Sequence, residues 1–275
     1  MSGRRDGSSL IAIGDSLTEH GTWPEMLADA AGWGVERVAY AGQTSTELAV
    51  RLGAIGMTFS VAGRAREGRI PLTPVTPSGD FRHHIDAGMA DIAVPGVLGG
   101  LRGLLTHRVG GAALEGWEFA SEGTPPAGHA PLDFHAEAPV FSAPAAFVIW
   151  CGRNNPGPIA ARDIAAIVAE LRAHHSAARS LVLGVHAASF EPEGSEGAAL
   201  VDGLNATLAQ AFGDHFVDLG TAFDAAAPTS DGTTAARLRS DDVHLNAAGD
   251  EVVARAVAHR LSGLGWWPSG RALPS

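Results

Sequence analysis

Two short polar turns, far apart along the chain, hold a full set of groups for nucleophilic catalysis. The first ends an apolar run, Ile11-Ala12-Ile13-Gly14-Asp15-Ser16-Leu17, and carries a serine. The second, Asp241-Asp242-Val243-His244-Leu245, sets a carboxylate three residues before an imidazole. A serine hydroxyl is a weak nucleophile near neutral pH unless a neighbouring base takes its proton. That base works best when a carboxylate fixes its tautomer and balances the charge it acquires. Ser16, His244 and Asp241 are of the right types for alcohol, base and acid.

Such residues need a scaffold that brings both ends of the chain together. Short apolar runs recur at Leu10–Ile13, Arg37–Ala41, Ala145–Cys151, Ser180–Val185 and His215–Leu219. They lack strict alternation, which suits strands covered on both faces of a parallel sheet. Between them, Trp23–Ala31, Thr44–Leu52, Ile159–His175 and Ala198–Phe212 carry apolar residues at helical spacing, and Leu245–Leu261 adds a last helix. Strands alternating with helices predict an α/β fold, a three-layer sandwich around a central parallel sheet. Ligands of such sheets bind beyond the carboxyl ends of the strands, where Ser16, Gly42 and Gly152 are expected to fall.

The rhythm breaks between about Ala54 and Phe141. This stretch is rich in glycine and proline and offers short β-like pieces such as Met57–Val61 and Arg69–Val75, with prolines at 71, 74 and 77. A structureless loop of that size is uncommon inside a compact domain, so residues 54–141 are expected to form a mostly β insertion. The core is then 1–53 with 142–275. Because the insertion leaves and rejoins the core next to the proposed site, its expected role is a wall or lid that selects substrate, the alternative being a surface elaboration or oligomer contact.

Composition excludes several alternatives. The chain has 275 residues, of which 45% are apolar, enough for a buried core. Its formal charge of −11 repels nucleic acid and anionic membranes. There is no lysine, so all 19 basic residues are arginine. Schiff-base catalysis, a pyridoxal-phosphate lysine, a Walker P-loop and a Ser-x-x-Lys nucleophile are thereby ruled out. Cys151 is the one cysteine and stands at the end of an apolar run, so it is expected to be a small buried hydrophobe. No stretch reaches the roughly 18 apolar residues of a membrane helix, and the polar start leaves no room for a signal peptide, so a cytoplasmic location is the default expectation. His83, His84 and Asp86, and the pair His174-His175, are the densest metal-binding candidates, yet they lack zinc-site spacing. Trp23, Trp117 and Trp150 are candidates for a ligand pocket or, more simply, for the core. Arg51, Arg64, Arg66 and Arg69 could meet an anionic substrate.

With Gly14-Asp15-Ser16-Leu17 early and Asp241-Asp242-Val243-His244-Leu245 late, the chain resembles the SGNH/GDSL hydrolase family. Two intermediate blocks add to the resemblance: Gly42 in Ala39-Tyr40-Ala41-Gly42-Gln43, and Gly152-Arg153-Asn154 after the third strand. All four stand in the family's order, each at a strand end. The resemblance covers about 8–53 and 142–262 and implies a flavodoxin-like SGNH hydrolase fold. It implies Ser16 as nucleophile, His244 as general base and then acid, and Asp241, not Asp242, as the group orienting the imidazole. It also implies an oxyanion hole from the backbone N–H groups of Ser16 and Gly42 and the side-chain amide of Asn154; such chemistry requires no cofactor, and no metal is expected for want of ligand spacing. One departure is Asn155, where the family commonly has aspartate.

The function expected on these grounds is a serine-dependent ester hydrolase working through an acyl-enzyme, with short acyl esters of a carbohydrate as substrate. A small-molecule or glycan ester is the expected partner, without nucleic acid or membrane insertion. The alternatives are a lipid esterase or thioesterase of the same fold, and a glycan-binding module without activity. The sequence leaves the oligomeric state open.

Overall fold

The computed structural model describes residues 7–76, 92–107, 116–121, 123, 130–142, 144–177, 179–272 and 274. The chain divides into two compact units, 1–41 with 141–275, and 42–140.

The first unit is built on five parallel strands: β1 (Ser9–Gly14), β2 (Gly34–Ala39), β9 (Pro144–Trp150), β10 (Ser180–Leu183) and β11 (Phe216–Val217). Strands β3 to β8 belong to the second unit. The order across the sheet is β2-β1-β9-β10-β11. The winding reverses between β1 and β9, which is where a doubly wound sheet leaves a crevice at its carboxyl edge. In register, Gly14 pairs with Trp150, so the chain leaves β1 and β9 side by side.

The expected lack of alternation has a direct cause. Leu10, Ile11, Ala12 and Ile13 are all fully buried, although successive side chains point to opposite faces. Leu10 and Ala12 join a core with Trp23 and Leu27 of α2 (Trp23–Ala31) and with Val253 and Val257 of a C-terminal helix (Ala247–Gly263). Ile11 and Ile13, with their register partners Phe147 and Ile149, face the other way and are equally buried. The remaining long helices, Pro158–His174 and Glu196–Phe212, bury Ile164, Ile167, Leu204 and Leu208. The three layers expected from the sequence are present.

Two of the element bounds that differ from the expectation do so for clear local reasons. The last strand shrinks to Phe216–Val217 because Gly213–His215 coils into a 3₁₀ turn and Asp218 caps the helix Leu219–Ala226. The C-terminal helix begins at Ala247, because the Asn246 side chain accepts from the N–H groups of Ala248 (2.9 Å) and Gly249 (3.2 Å). Residues before Asn246 are thus left to form a loop.

The second unit is a closed antiparallel barrel. Its strands are β3 (Met57–Val61), β4 (Arg69–Thr76), β5 (Ile92–Leu98), β6 (Leu101–His107), β7 (Trp117–Ala120) and β8 (Leu132–Ala136), ordered β3-β4-β7-β6-β5-β8 and closed by pairing of β3 with β8. Closure removes exposed sheet edges. Phe59, Trp117, Phe119 and Phe134 fill the interior. Gly96 and Gly103 face each other across β5 and β6. A methyl on either would come within 2.6–2.7 Å of the Phe134 or Phe119 ring, so these glycines make the room the aromatics occupy. The unit begins at Gly42 and not at 54, because helix α3 (Ser45–Arg51) turns Val50 into the barrel core, with Ile55 packed against it.

Candidate active site

The serine turn is fixed by its neighbours. Asp15 caps the helical turn α1 (Ser16–Glu19), accepting from the Leu17 N–H at 3.1 Å. Ser16 is first in that turn, so its own N–H has no intrahelical partner. Gly14 has no substitute here: a methyl would stand 2.3 Å from the Trp150 carbonyl oxygen and 2.3 Å from Thr18 Oγ1. Glu19 accepts from the Ala41 N–H at 2.5 Å and the Gly14 carbonyl from the Tyr40 N–H at 3.2 Å, fastening the end of β2 beside the serine.

The late turn meets it. His244 Nε2 lies 2.8 Å from Ser16 Oγ, and His244 Nδ1 lies 2.8 Å from Asp241 Oδ2. An ionised carboxylate only accepts, so Nδ1 carries the ring proton and Nε2 is left to accept from the serine hydroxyl. The other carboxylate oxygen, Oδ1, takes the backbone N–H groups of Val243 (2.8 Å) and His244 (2.7 Å). Desolvation works against the Asp241 charge, yet these N–H groups and the imidazole outweigh it and hold the carboxyl down at about 2. Asp241 is therefore ionised at neutral pH. Asp242 faces elsewhere, accepting from Ser189 Oγ at 2.5 Å.

Around this line the charges are buried and uneven. Asp15 is enclosed, and burial pushes its carboxyl up to about 6 against the pull of the Leu17 N–H and the Arg153 guanidinium. Asp250, on the C-terminal helix, accepts from the N–H (2.6 Å) and hydroxyl (2.9 Å) of Thr22, tying that helix to the link after the serine turn. Burial raises its carboxyl as well. A cavity of about 430 Å³ opens here, lined by polar Ser16, His20, Ser240, His244 and Asp250, with Leu17 and Leu245 as its large apolar side chains.

Asn154 sits half-buried in the turn after β9, the strand next to the serine strand. Gly42, first residue of the second unit, has φ of 71°, in the region where glycine carries no steric penalty. Asn155 donates its N–H to the Gly152 carbonyl at 3.3 Å. The other candidates resolve differently. Trp23, Trp117 and Trp150 are core, at most 1% exposed, and Cys151 is buried. His174 pairs with Glu170 at 2.9 Å, Arg69 with Glu118 at 3.0 Å, and the Arg51 guanidinium donates to the Ala93 carbonyl at 3.3 Å. His83, His84 and Asp86 lie outside the described residues. Among the described residues no three His, Cys, Asp or Glu side chains gather as for a metal, and no helix is long and apolar enough to cross a membrane.

Arg153, His186, Ser189 and Glu191, all in the loops beside Ser16 and His244, join the site through tertiary contacts. Arg153 lies inside the Gly152-Arg153-Asn154 block, and His186 closes an apolar run as Ser16 does. Glu191, in a polar loop, gave no signal.

No protein-family model and no curated protein matches the chain. Among solved structures, the chain is similar to an acetylxylan esterase from Geobacillus stearothermophilus (14% identity, 97% of this chain and 99% of that one, TM-score 0.49). It is similar to a GDSL-like lipase from Bacteroides thetaiotaomicron (14%, 96% and 92%, 0.48). A third is the catalytic domain of a peptidoglycan O-acetyltransferase from Streptococcus pneumoniae (13%, 95% and 97%, 0.43). The fold stands on the strand order and register of this chain itself.

Proposed function

We propose that the protein is a serine-dependent ester hydrolase of the SGNH/GDSL kind. The observation that carries this reading is the unbroken line from Asp241 through His244 to Ser16, with both hydrogen bonds at 2.8 Å. Ser16 Oγ attacks the ester carbonyl while His244 Nε2 takes its proton; the imidazolium then gives that proton to the leaving alcohol. Water activated by the same nitrogen releases the acyl group from Ser16. The backbone N–H of Ser16 and the Asn154 amide are the donors we assign to the oxyanion. The proposed cycle uses the chain's own side-chain and backbone groups and one water.

We assign short acyl esters of a carbohydrate as the substrate class. The lining of the cavity beside Ser16 supports this, since two leucines among hydroxyls, imidazoles and carboxylates offer little to a long acyl chain. The named activities of the acetylxylan esterase and the peptidoglycan O-acetyltransferase agree in kind, at a similarity that adds no weight.

The test is reaction with a fluorophosphonate, mapped by mass spectrometry, and then hydrolysis of p-nitrophenyl esters of rising chain length and of acetylated xylan. The expected result is a single adduct on Ser16, lost in Ser16→Ala, with acetate the preferred acyl group. A folded protein that forms no adduct, or forms it on another serine, refutes the mechanism. Preference for octanoate or longer esters refutes the short-acyl assignment alone.

A further inference from the structure

Arg153 precedes the proposed oxyanion residue Asn154 but turns its side chain away from solvent, and only 6% of it is accessible. A buried guanidinium is costly unless its donors are taken up. Here Nη1 donates to Glu191 Oε2 at 2.7 Å and to the His186 carbonyl at 2.8 Å, and Nη2 donates to Glu191 Oε1. Glu191 Oε2 also accepts from the Ala188 N–H at 2.9 Å. Both partners of this ion pair therefore hold the backbone of one loop, residues 186–191, which follows β10.

That loop in turn grips the two residues just before His244. His186 Nε2 lies 2.8 Å from the Val243 carbonyl oxygen, which makes Nε2 the protonated ring nitrogen. The Ser189 N–H donates to the Asp242 carbonyl at 2.9 Å, and its hydroxyl donates to the Asp242 carboxylate. The Ala187 carbonyl accepts from the Thr234 N–H at 3.1 Å, tying in the segment that leads to the late turn. The path from Arg153 to His244 is short and hydrogen-bonded throughout. The Asn205 side chain, bonded to both the N–H and the carbonyl of Val185, fixes the point where the loop leaves the sheet.

We propose that Arg153, through its buried pair with Glu191, is a positioning residue that sets the placement of the His244 imidazole relative to Ser16 and couples the Asn154 turn to the triad loop. It touches neither the reacting groups nor, on this assignment, substrate. The inference rests on the serine hydrolase reading for its kinetic consequence, though not for its structural one. A buried ion pair contributes little net stability compared with apolar side chains of similar size, so fixing geometry is the role left for it. A displacement of about 1 Å at a reacting group costs on the order of 10²-fold in rate.

The test replaces the pair as a unit, with Arg153→Met and Glu191→Met together, so that no lone charge stays buried. Arg153→Lys is the second variant: it keeps the charge but cannot hold both carboxylate oxygens and the His186 carbonyl. Both are compared with the wild type for kcat and KM on p-nitrophenyl acetate, for the rate of fluorophosphonate labelling, and for the downfield proton resonance of His244 Nδ1–H. That resonance is assigned by its loss in His244→Ala. The expected result in the folded double variant is a fall in kcat of about ten- to a hundredfold with KM unchanged, an equal fall in labelling rate, and exchange broadening of the Nδ1–H signal. Arg153→Lys is expected to show the same pattern less strongly, and it carries the test if the double variant does not fold.

Wild-type kcat and an unaltered Nδ1–H resonance in a folded variant overturn the proposal. If the wild type itself forms no Ser16 adduct, the hydrolase reading fails, and the resonance alone decides the positioning role.

Discussion

Asp241→Asn should be more damaging than Asp241→Ala, although asparagine is the closer replacement. The carboxylate accepts three hydrogen bonds, two from the backbone N–H groups of Val243 and His244 on Oδ1 and one from His244 Nδ1 on Oδ2. Asparagine has one oxygen for three donors. Two backbone donors fixed by the turn outcompete one rotatable ring, so the amide turns its oxygen to them and its NH₂ to the imidazole. Nδ1 must then accept, the ring proton moves to Nε2, and the base that faces Ser16 at 2.8 Å becomes a donor. In a serine triad the wrong tautomer costs ~10⁴ in turnover. Alanine forces neither tautomer, and the half-open site around Asp241 lets water bond to Nδ1, so its loss should be about 10²–10³, nearer that of a single hydrogen-bonding group in such a site. Initial rates on p-nitrophenyl acetate, with active enzyme counted by fluorophosphonate titration, measure both. Asparagine retaining more activity than alanine would show that the two backbone bonds do not set the amide orientation, and would refute the reasoning.

Three further outcomes follow from the same geometry. Asn154→Ala should lower kcat by about 10²–10³ with little change in KM, since the assigned donor acts on charge that develops only in the transition state; equal rates for variant and wild type would remove Asn154 from the oxyanion hole. Gly14→Ala should destabilise the fold by more than the roughly 1–3 kcal/mol typical of overpacking, because its methyl would meet the backbone carbonyl of Trp150, and a melting curve like that of the wild type would contradict this. The pH dependence of stability should show two opposed contributions. Burial lifts the Asp15 carboxyl from 3.8 to about 6, so its contribution is full below pH 4 and is lost as pH rises towards 6. Burial lowers the His186 imidazole from 6.5 to about 4, so its contribution is full above pH 6.5 and is lost as pH falls towards 4. Each shift corresponds to about 3 kcal/mol. Asp15→Asn should thus gain stability over the wild type as pH rises from 4 to 7, read as the difference in Tm across a pH series. A difference that stays flat would mean that Asp15 is not desolvated as described.

Sequence alone determined the parts of this protein whose physics is local. A strand buried on both faces must be apolar at every position, which made Leu10–Ile13 and Ala145–Cys151 legible, and helical spacing gave Trp23–Ala31 to the residue. Ser16, Asp241 and His244 were legible because the chemistry proposed for them demands particular residue types at particular turn spacings. The barrel was foreseen as mostly β, but its start at Gly42 was not, since α3 has the periodicity of a core helix and only packing shows that Val50 belongs to the barrel interior. Tertiary structure also decided that residues 228 apart in sequence meet at 2.8 Å. It likewise decided that Arg153 and Glu191 neutralise each other in the interior, and that His186 holds the carbonyl of Val243. Those pairings depend on which loops the parallel sheet brings to one edge. Nothing in the neighbours of an arginine along the chain says which carboxylate it will reach across the fold.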